Sequence, residues 1–303
     1  MRVLVTALCL ALLGPLLAAC ERESSVTRDW TDMPSEHRPA LWRISRDGQS
    51  GYLFGAVHAL PDRLHWYDDA IIAALDASKT LALEIDPSQE PQPVPDTFRA
   101  MGATPGIPPV SQRIDDQWQD EYAALAETAS LPDNAFTGRE SWAAALSLAG
   151  IATSGLGVSR TYGVEAVLSQ YAYKRNMPII ALESAAEQFG YFDRLTEAQQ
   201  LKMLEAVIAD AATARNSYRT LLTNWLNGDV ASLAETTKSG LLATEPVRNA
   251  LLVQRNRAWI AEISGLVDDG KRPFVAVGAA HLAGQDSVQA MLVAEGFAIE
   301  RVQ

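Results

Sequence analysis

The sequence predicts an α/β fold: a central mixed β-sheet flanked by helices, with a helical subdomain inserted between two copies of a Gly-x-x-His motif. Three observations carry this. Apolar strand-like runs stand near both ends of the chain, and stretches with helical spacing fill the middle. Residues 41–45, then Asp47-Gly48, then residues 51–55 read as a hairpin, so at least one strand pair is antiparallel. One phrase, an apolar strand ending in Gly-Ala-small-His, is written twice, as Gly55-Ala56-Val57-His58 and as Gly278-Ala279-Ala280-His281.

The remaining elements follow in order. Residues 67–78 place Ile71, Ile72 and Leu75 on one helical face. Residues 81–86 are a short apolar run whose end carries Glu84 and Asp86. Pro87, Pro91, Pro93 and Pro95, and then Pro105, Pro108 and Pro109, interrupt regular structure. Helices are expected over 115–128, 139–152 and 163–175, and a strand over 178–182. Ser184 with Glu187, and Thr196 with Gln199, match the capping box, so helices start there. Long helices are expected over 201–212, 217–227 and 247–267, before a closing strand (274–277), helix (287–295) and strand (297–302). The stretches 96–151 and 187–239 would make the helical subdomain, a lid over one sheet edge.

With 303 residues and 48% hydrophobic content the chain buries a substantial core. Its net charge of −12 and its lack of a Lys/Arg cluster exclude a general nucleic-acid binder. Residues 1–20 form a separate object. Arg2 precedes an apolar stretch shorter than the roughly 20 residues of a spanning helix, and Leu17-Ala18-Ala19-Cys20 closes it. This reads as an export signal, and its ending resembles a bacterial lipobox in which Cys20 is lipidated. Residues 21–39, polar and carrying Pro34 and Pro39, are expected to be a flexible tether, and 40–303 the folded domain. The protein is therefore expected in the bacterial cell envelope, lipid-anchored on the periplasmic side. The other cysteine, Cys9, lies in the signal, so the mature chain offers no catalytic thiol, disulfide framework or Cys-ligated zinc.

The chemistry is carried by the repeated phrase, which uses two of the four histidines. A glycine at a strand's carboxyl end lets the chain turn and another group approach, and in open α/β sheets that edge is where ligands bind. Imidazole holds transition metals and moves protons near neutral pH. A metal held by neutral imidazoles usually takes a carboxylate as well. Glu84 leads that choice, with Asp86 and Glu183 as alternatives. His65 reads as a loop residue or a substrate contact, and His37 falls in the tether. Gly155-Leu156-Gly157 lacks the context of a dinucleotide fingerprint, and neither a Gly-x-Ser-x-Gly elbow nor a His-Glu-x-x-His helix is present.

The order strand-Gly-x-x-His, Leu83-Glu84-Ile85-Asp86, Gly163-Val164-Glu165, Ala181-Leu182-Glu183 with Gln188, Arg255-Asn256, and Val277 to Gly284 around the second histidine resembles the TraB/GumN family, relatives of the Wnt-cleaving Tiki proteases. The resemblance spans nearly the whole mature chain. It implies a metal-dependent hydrolase, most simply a peptidase, with manganese or cobalt favoured and zinc as an alternative. His58 and His281 would ligate the metal, and Glu84 would be the third ligand or the general base. Arg255, with Asn256, would stabilise an oxyanion or hold a substrate carboxylate, and Glu165 would support its helix start through the dipole. The expected partners are a peptide or small-molecule substrate and the membrane reached through the lipid anchor. The alternative function is a non-catalytic peptide- or polysaccharide-binding accessory lipoprotein.

Overall fold

The computed structural model describes residues 37–238 and 240–303. The expected signal, Cys9, Cys20 and the tether up to residue 36 lie outside the described residues. Strands β1 (Leu41–Arg46) and β2 (Gln49–Ala56) form the hairpin, with Leu41 opposite Phe54. Asp47 and Gly48 both take positive φ, at 49° and 79°, as a two-residue turn between right-twisted strands requires. A two-residue strand β3 (Leu60–Pro61) follows, then helix α1 (Asp69–Ala77), capped by the Asp68 carboxylate, which accepts from the Ile71 amide. Strand β4 (Thr80–Leu83) ends before Glu84, so both acids of the 81–86 run lie beyond the strand.

The middle of the chain contributes α2 (Val94–Met101), α3 (Gln119–Thr128), α4 (Ser141–Ser154), strand β5 (Val158–Ser159), which pairs with β3, and α5 (Val164–Lys174). Strand β6 (Ile179–Ala181) precedes α6 (Ala185–Asp193) and α7 (Glu197–Ala211). Both of these helices carry the reciprocal capping-box bonds expected at Ser184/Glu187 and Thr196/Gln199. Then come α8 (Ala214–Leu226), α9 (Val230–Thr236) and α10 (Glu245–Arg248). A π-helical segment, Asn249–Gln254, leads into α11 (Arg255–Asp268), so the helix expected over 247–267 is continuous but carries a π segment in its first half. Strand β7 (Pro273–Gly278), a 3₁₀ turn (Ala279–Leu282), α12 (Val288–Ala294) and strand β8 (Ala298–Arg301) complete the order.

Among the described residues, the main sheet has six strands in the order β6-β4-β7-β2-β1-β8. Neighbours among β6, β4, β7 and β2 are parallel, and β1 is antiparallel to both β2 and β8, which makes the sheet mixed as expected. Successive side chains in a strand face opposite ways, and the two faces bury different clusters. Leu41, Phe54, Leu83 and Phe274 join Trp142, Phe189, Leu204 and Trp225 on one face. Ile44, Leu53 and Val275 join Trp259, Ile263 and Leu292 of α11 and α12 on the other. Among the described residues, the mid-chain helices, with α4 packed on α7 and α2 on α6, belong to the same buried cluster as that sheet face. Among the described residues, no helix is long and apolar enough to cross a membrane.

Candidate active site at the carboxyl ends of the parallel strands

Four adjacent parallel strands each deliver one polar side chain just past their carboxyl ends: His58 after β2, Glu84 after β4, Glu183 after β6 and His281 after β7. The backbone fixes this alignment. Leu182 N–H donates to Leu83 O at 2.8 Å and Glu183 N–H to Glu84 O at 2.9 Å, so the two acids continue side by side beyond the ladder. Strands β2 and β7 pair with Ala56 opposite Gly278. Gly55 allows the turn after β7 to fold against it, since a Cβ there would stand 3.1 Å from Ala279 Cα.

Gly278 is the point of convergence. A Cβ on it would lie 3.1 Å from Glu84 Oε1, 3.4 Å from His58 Nε2 and 3.5 Å from His281 Cδ2. Its own amide donates to Glu84 Oε1 at 2.6 Å, and His281 Nε2 lies 3.9 Å from the same oxygen. All three side chains are buried.

Each imidazole is anchored through Nδ1, which turns Nε2 toward the shared point. His58 Nδ1 bonds the carboxylate of Glu165, and His281 Nδ1 lies 2.6 Å from Asn256 Oδ1. The Asn256 amide in turn donates to Asp286 O at 2.8 Å. Glu165 reaches His58 because the start of α5 docks on the first motif. Val164 N–H donates to Val57 O at 3.1 Å, and a Cβ at Gly163 would fall 2.1 Å from His58 O. Only glycine allows that approach.

Arg255 is the central counterion. Its Nη2 donates to Glu84 Oε2 and to Glu183 Oε1, each at 2.5 Å, and its Nε donates to Glu183 at 3.0 Å. Its Nη1 reaches Leu251 O at 3.3 Å and His281 Nε2 at 3.2 Å. Gln188 bridges Glu84 and Glu183, at 3.1 and 2.7 Å, and Trp259 Nε1 donates to Glu183 at 3.2 Å. The π segment before Arg255 changes the helix phase where two successive polar residues, Arg255 and Asn256, are both buried. Such bulges recur at functional sites.

This network sets the charge states. Burial alone would raise the Glu84 carboxyl, but Arg255, then the two histidines and the Gly278 amide, hold it at about 2. Burial and the Arg255 charge push His281 down to about 3, so it is a neutral imidazole. Burial would also lower His58, but Glu165 outweighs it and leaves His58 raised. Burial drives Glu183 above the usual carboxyl range despite Arg255.

A cavity of about 870 Å³ opens on His58, Glu84, Glu165 and Arg160, under a strap carrying Pro87, Pro91, Pro93 and Pro95. Arg255, Asn256 and His281 are not part of its wall. Of the three candidate acids, Glu84 stands beside both imidazoles and Glu183 is linked through Arg255. Asp86 instead shapes the strap, accepting from the Ser88 amide and hydroxyl and from Gln89. His65 packs against Tyr67 in a different groove.

The profile of the TraB/PrgY/gumN family matches residues 40–301, with both histidine motifs and every residue of this network inside it. The chain belongs to the TraB/PrgY/gumN family. It is 22% identical over 265 residues to a protein described as "Uncharacterized protein YbaP" from Shigella flexneri, and equally to the protein of that description from Escherichia coli (strain K12). In both cases the match covers 87% of this chain and 96% of the relative. No solved structure matches the chain.

The divalent metal that resemblance to this family implies can be tested against the donors. Two Nε2 atoms face one carboxylate, and each ring is fixed from behind through Nδ1, the arrangement that supports metal-bound histidines. Two donors on a tetrahedral zinc-sized ion stand about 3.4 Å apart, against 3.9 Å between His281 Nε2 and Glu84 Oε1. Among the described residues, no group of three or more His, Cys, Asp or Glu side chains is drawn together closely enough to hold an ion. The donor types, two imidazoles and a carboxylate, are those a small divalent ion takes, and Arg255 Nη1, 3.2 Å from His281 Nε2, stands where such an ion would have to displace it.

Sequence reasoning missed the bond from Glu165 to His58 and the place of Arg160 in the cavity wall. The signal for the first was Gly163, a glycine directly before a helix that opens with an acid. Arg160 gave no signal, being a lone basic residue in a polar loop.

Proposed function

We propose that this pocket is the active site of an envelope-anchored hydrolase, most simply a peptidase, that uses a divalent metal held by His58, His281 and Glu84. The observation supporting it is the convergence of Glu84 and both imidazoles on Gly278. Such a metal, when bound, acidifies water and polarises the scissile carbonyl. Glu165 and Asn256 hold the two rings through Nδ1, and His281 Nε2, which accepts from Arg255 Nη1, would exchange that bond for the metal. Arg255 keeps Glu84 ionised and aimed. Its N–H groups are taken up by protein acceptors, so its part is positioning. The proline strap gives the cavity an apolar wall.

One observation favours a second reading. His58, which lines the cavity, is raised by a carboxylate on Nδ1, as in a general base oriented by an acid. In that case Nε2 takes the proton of the attacking water without a metal.

The test uses purified protein stripped by a chelator and reloaded with manganese, cobalt or zinc, with peptide cleavage followed by mass spectrometry. Cleavage that returns with metal, and metal content that falls in the His58→Ala/His281→Ala variant, are the expected results. Unchanged metal content in that variant removes the metal centre. Activity that survives full chelation and disappears in His58→Ala selects the second reading. For the anchor, Cys20→Ser should move the protein from the membrane fraction to the soluble fraction.

A further inference from the structure

Six ionisable side chains line the main cavity, and five have protein partners. His58 and Glu165 hold each other. Glu84 is held by Gly278 and Arg255. Asp86 is held by Ser88 and Gln89, and Glu90 accepts from the Ala185 amide at 2.8 Å. The sixth is Arg160. Among the described residues, no side chain or carbonyl accepts a hydrogen bond from its guanidinium, and no carboxylate stands within ion-pair distance of it.

Its position is built rather than accidental. Arg160 opens the 3₁₀ turn Arg160–Tyr162, which the Ser159 side chain caps by accepting from the Thr161 amide. The turn closes through Gly163 N–H to Arg160 O at 3.0 Å, and Gly163 then packs directly on the His58 backbone. The cation is thereby tied to the same short segment that sets His58. Burial draws its pKa down to about 10, with Glu165 the one opposing charge. A half-buried guanidinium that gives up water and gains no acceptor is unfavourable on its own. The wall around it is largely apolar, from Leu83, Ile85, Val94, Ala166 and the strap prolines.

We propose that Arg160 is the specificity residue of this cavity and receives a carboxylate of the substrate, with an apolar substrate group lying against the strap. The planar guanidinium fork matches a carboxylate through two parallel bonds, which a lysine does not reproduce. Since Arg160 and His58 line one cavity and the Arg160 charge is felt at His58, the carboxylate stands close to the bond that would be cut. It is therefore either the free C-terminal carboxylate of a peptide or an acidic side chain next to that bond. The inference takes its substrate class from the hydrolase reading, but binding alone tests it.

The experiment measures binding by calorimetry to the purified protein, with three probes: N-acetyl-Ala-Ala-Phe as the free acid, the same peptide as its amide, and N-acetyl-Ala-Glu-Phe amide. The wild type should bind one of the two carboxylate probes at least about tenfold more tightly than the plain amide. Which of the two it prefers identifies the source of the carboxylate. In Arg160→Gln the preference should fall toward one, and Arg160→Lys should recover only part of it. Equal binding of acid and amide, a preference that survives Arg160→Gln, or no binding of any probe overturns the proposal. A carboxylate preference without cleavage would sink the hydrolase reading and leave this inference standing. Cleavage with equal kcat/KM on acid and amide would do the reverse.

Discussion

The amide of Gly278, the last residue of strand β7, donates a 2.6 Å hydrogen bond to Oε1 of Glu84, the first residue beyond β4. A main-chain donor on one strand thus orients the acid of its neighbour. The same glycine leaves room for both imidazoles, so the position has two duties and no space for a side chain.

Gly278→Ala should therefore separate folding from function. Its backbone, φ −47° and ψ 134°, suits alanine. The new methyl would press on Glu84 and His58 at 3.1 and 3.4 Å. Displacement of reacting groups by a fraction of an ångström to 1 Å costs on the order of 10²-fold in rate. The expected result is kcat/KM reduced about 100-fold with the melting temperature changed by a few degrees at most. Full activity in this variant would mean that the convergence is not catalytic.

Glu183→Ala should be a stability variant first. Arg255 would keep Glu84 but lose the acid that bonds its Nε and Nη2. Removing one partner of a buried ion pair costs roughly 3–5 kcal/mol. Urea unfolding should show a loss of that size, with a smaller loss for Glu183→Gln. A change under about 1 kcal/mol would show that water reaches Arg255 freely.

Glu165→Gln tests the support of His58. Without the carboxylate charge, burial is left as the main influence and the His58 pKa falls. An imidazole NMR titration of the chelated protein should show that fall. Activity or metal affinity should drop about 10–100-fold, the usual effect of removing a ligand's supporting hydrogen bond. An unmoved titration would contradict the bond.

The chelated protein should lose stability in acid, and the sign follows from two depressed groups. His281 lies at about 3 in the fold and near 6.5 in the unfolded chain, so below 6.5 the unfolded state binds the extra proton. Glu84 lies at about 2 against 4.5, and so acts the same way between those values. Stability contributed by both is present above about 6.5 and is lost as pH falls toward 2–3. Glu183, raised by burial, opposes this just above 4.5, and His58, raised, favours the fold until pH passes its folded value. Urea midpoints from pH 7 to pH 3 should therefore decline steadily, and His281→Gln should remove the upper part of that decline.

Short-range signals were the legible ones. The Asp47-Gly48 turn and both capping boxes are local chemistry that neighbouring residues settle alone. The two histidine phrases pointed to a common edge because both end strands in the same way. The π segment at Asn249–Gln254 left no trace, since its apolar pattern is that of an ordinary helix. The mid-chain helices suggested a subdomain because an apolar face announces burial without naming its partner; α4 packs on α7 and α2 on α6, within a cluster that continues onto the sheet. Asp86 stood as an alternative to Glu84 on sequence, but β4 ends at Leu83 and Asp86 binds Ser88 and Gln89 instead.

The sheet order has a consequence in time. Strand β7 lies between β2 and β4, pairing Val275 with Leu53 and with Ala82. A growing polypeptide that has not yet reached residue 273 therefore has a gap in the middle of its sheet and lacks His281, Gly278's amide and the neighbour that seats Glu84. The convergence at Gly278 is thus completed by one of the last stretches of the chain to join the sheet, although its first imidazole is among the earliest residues to do so.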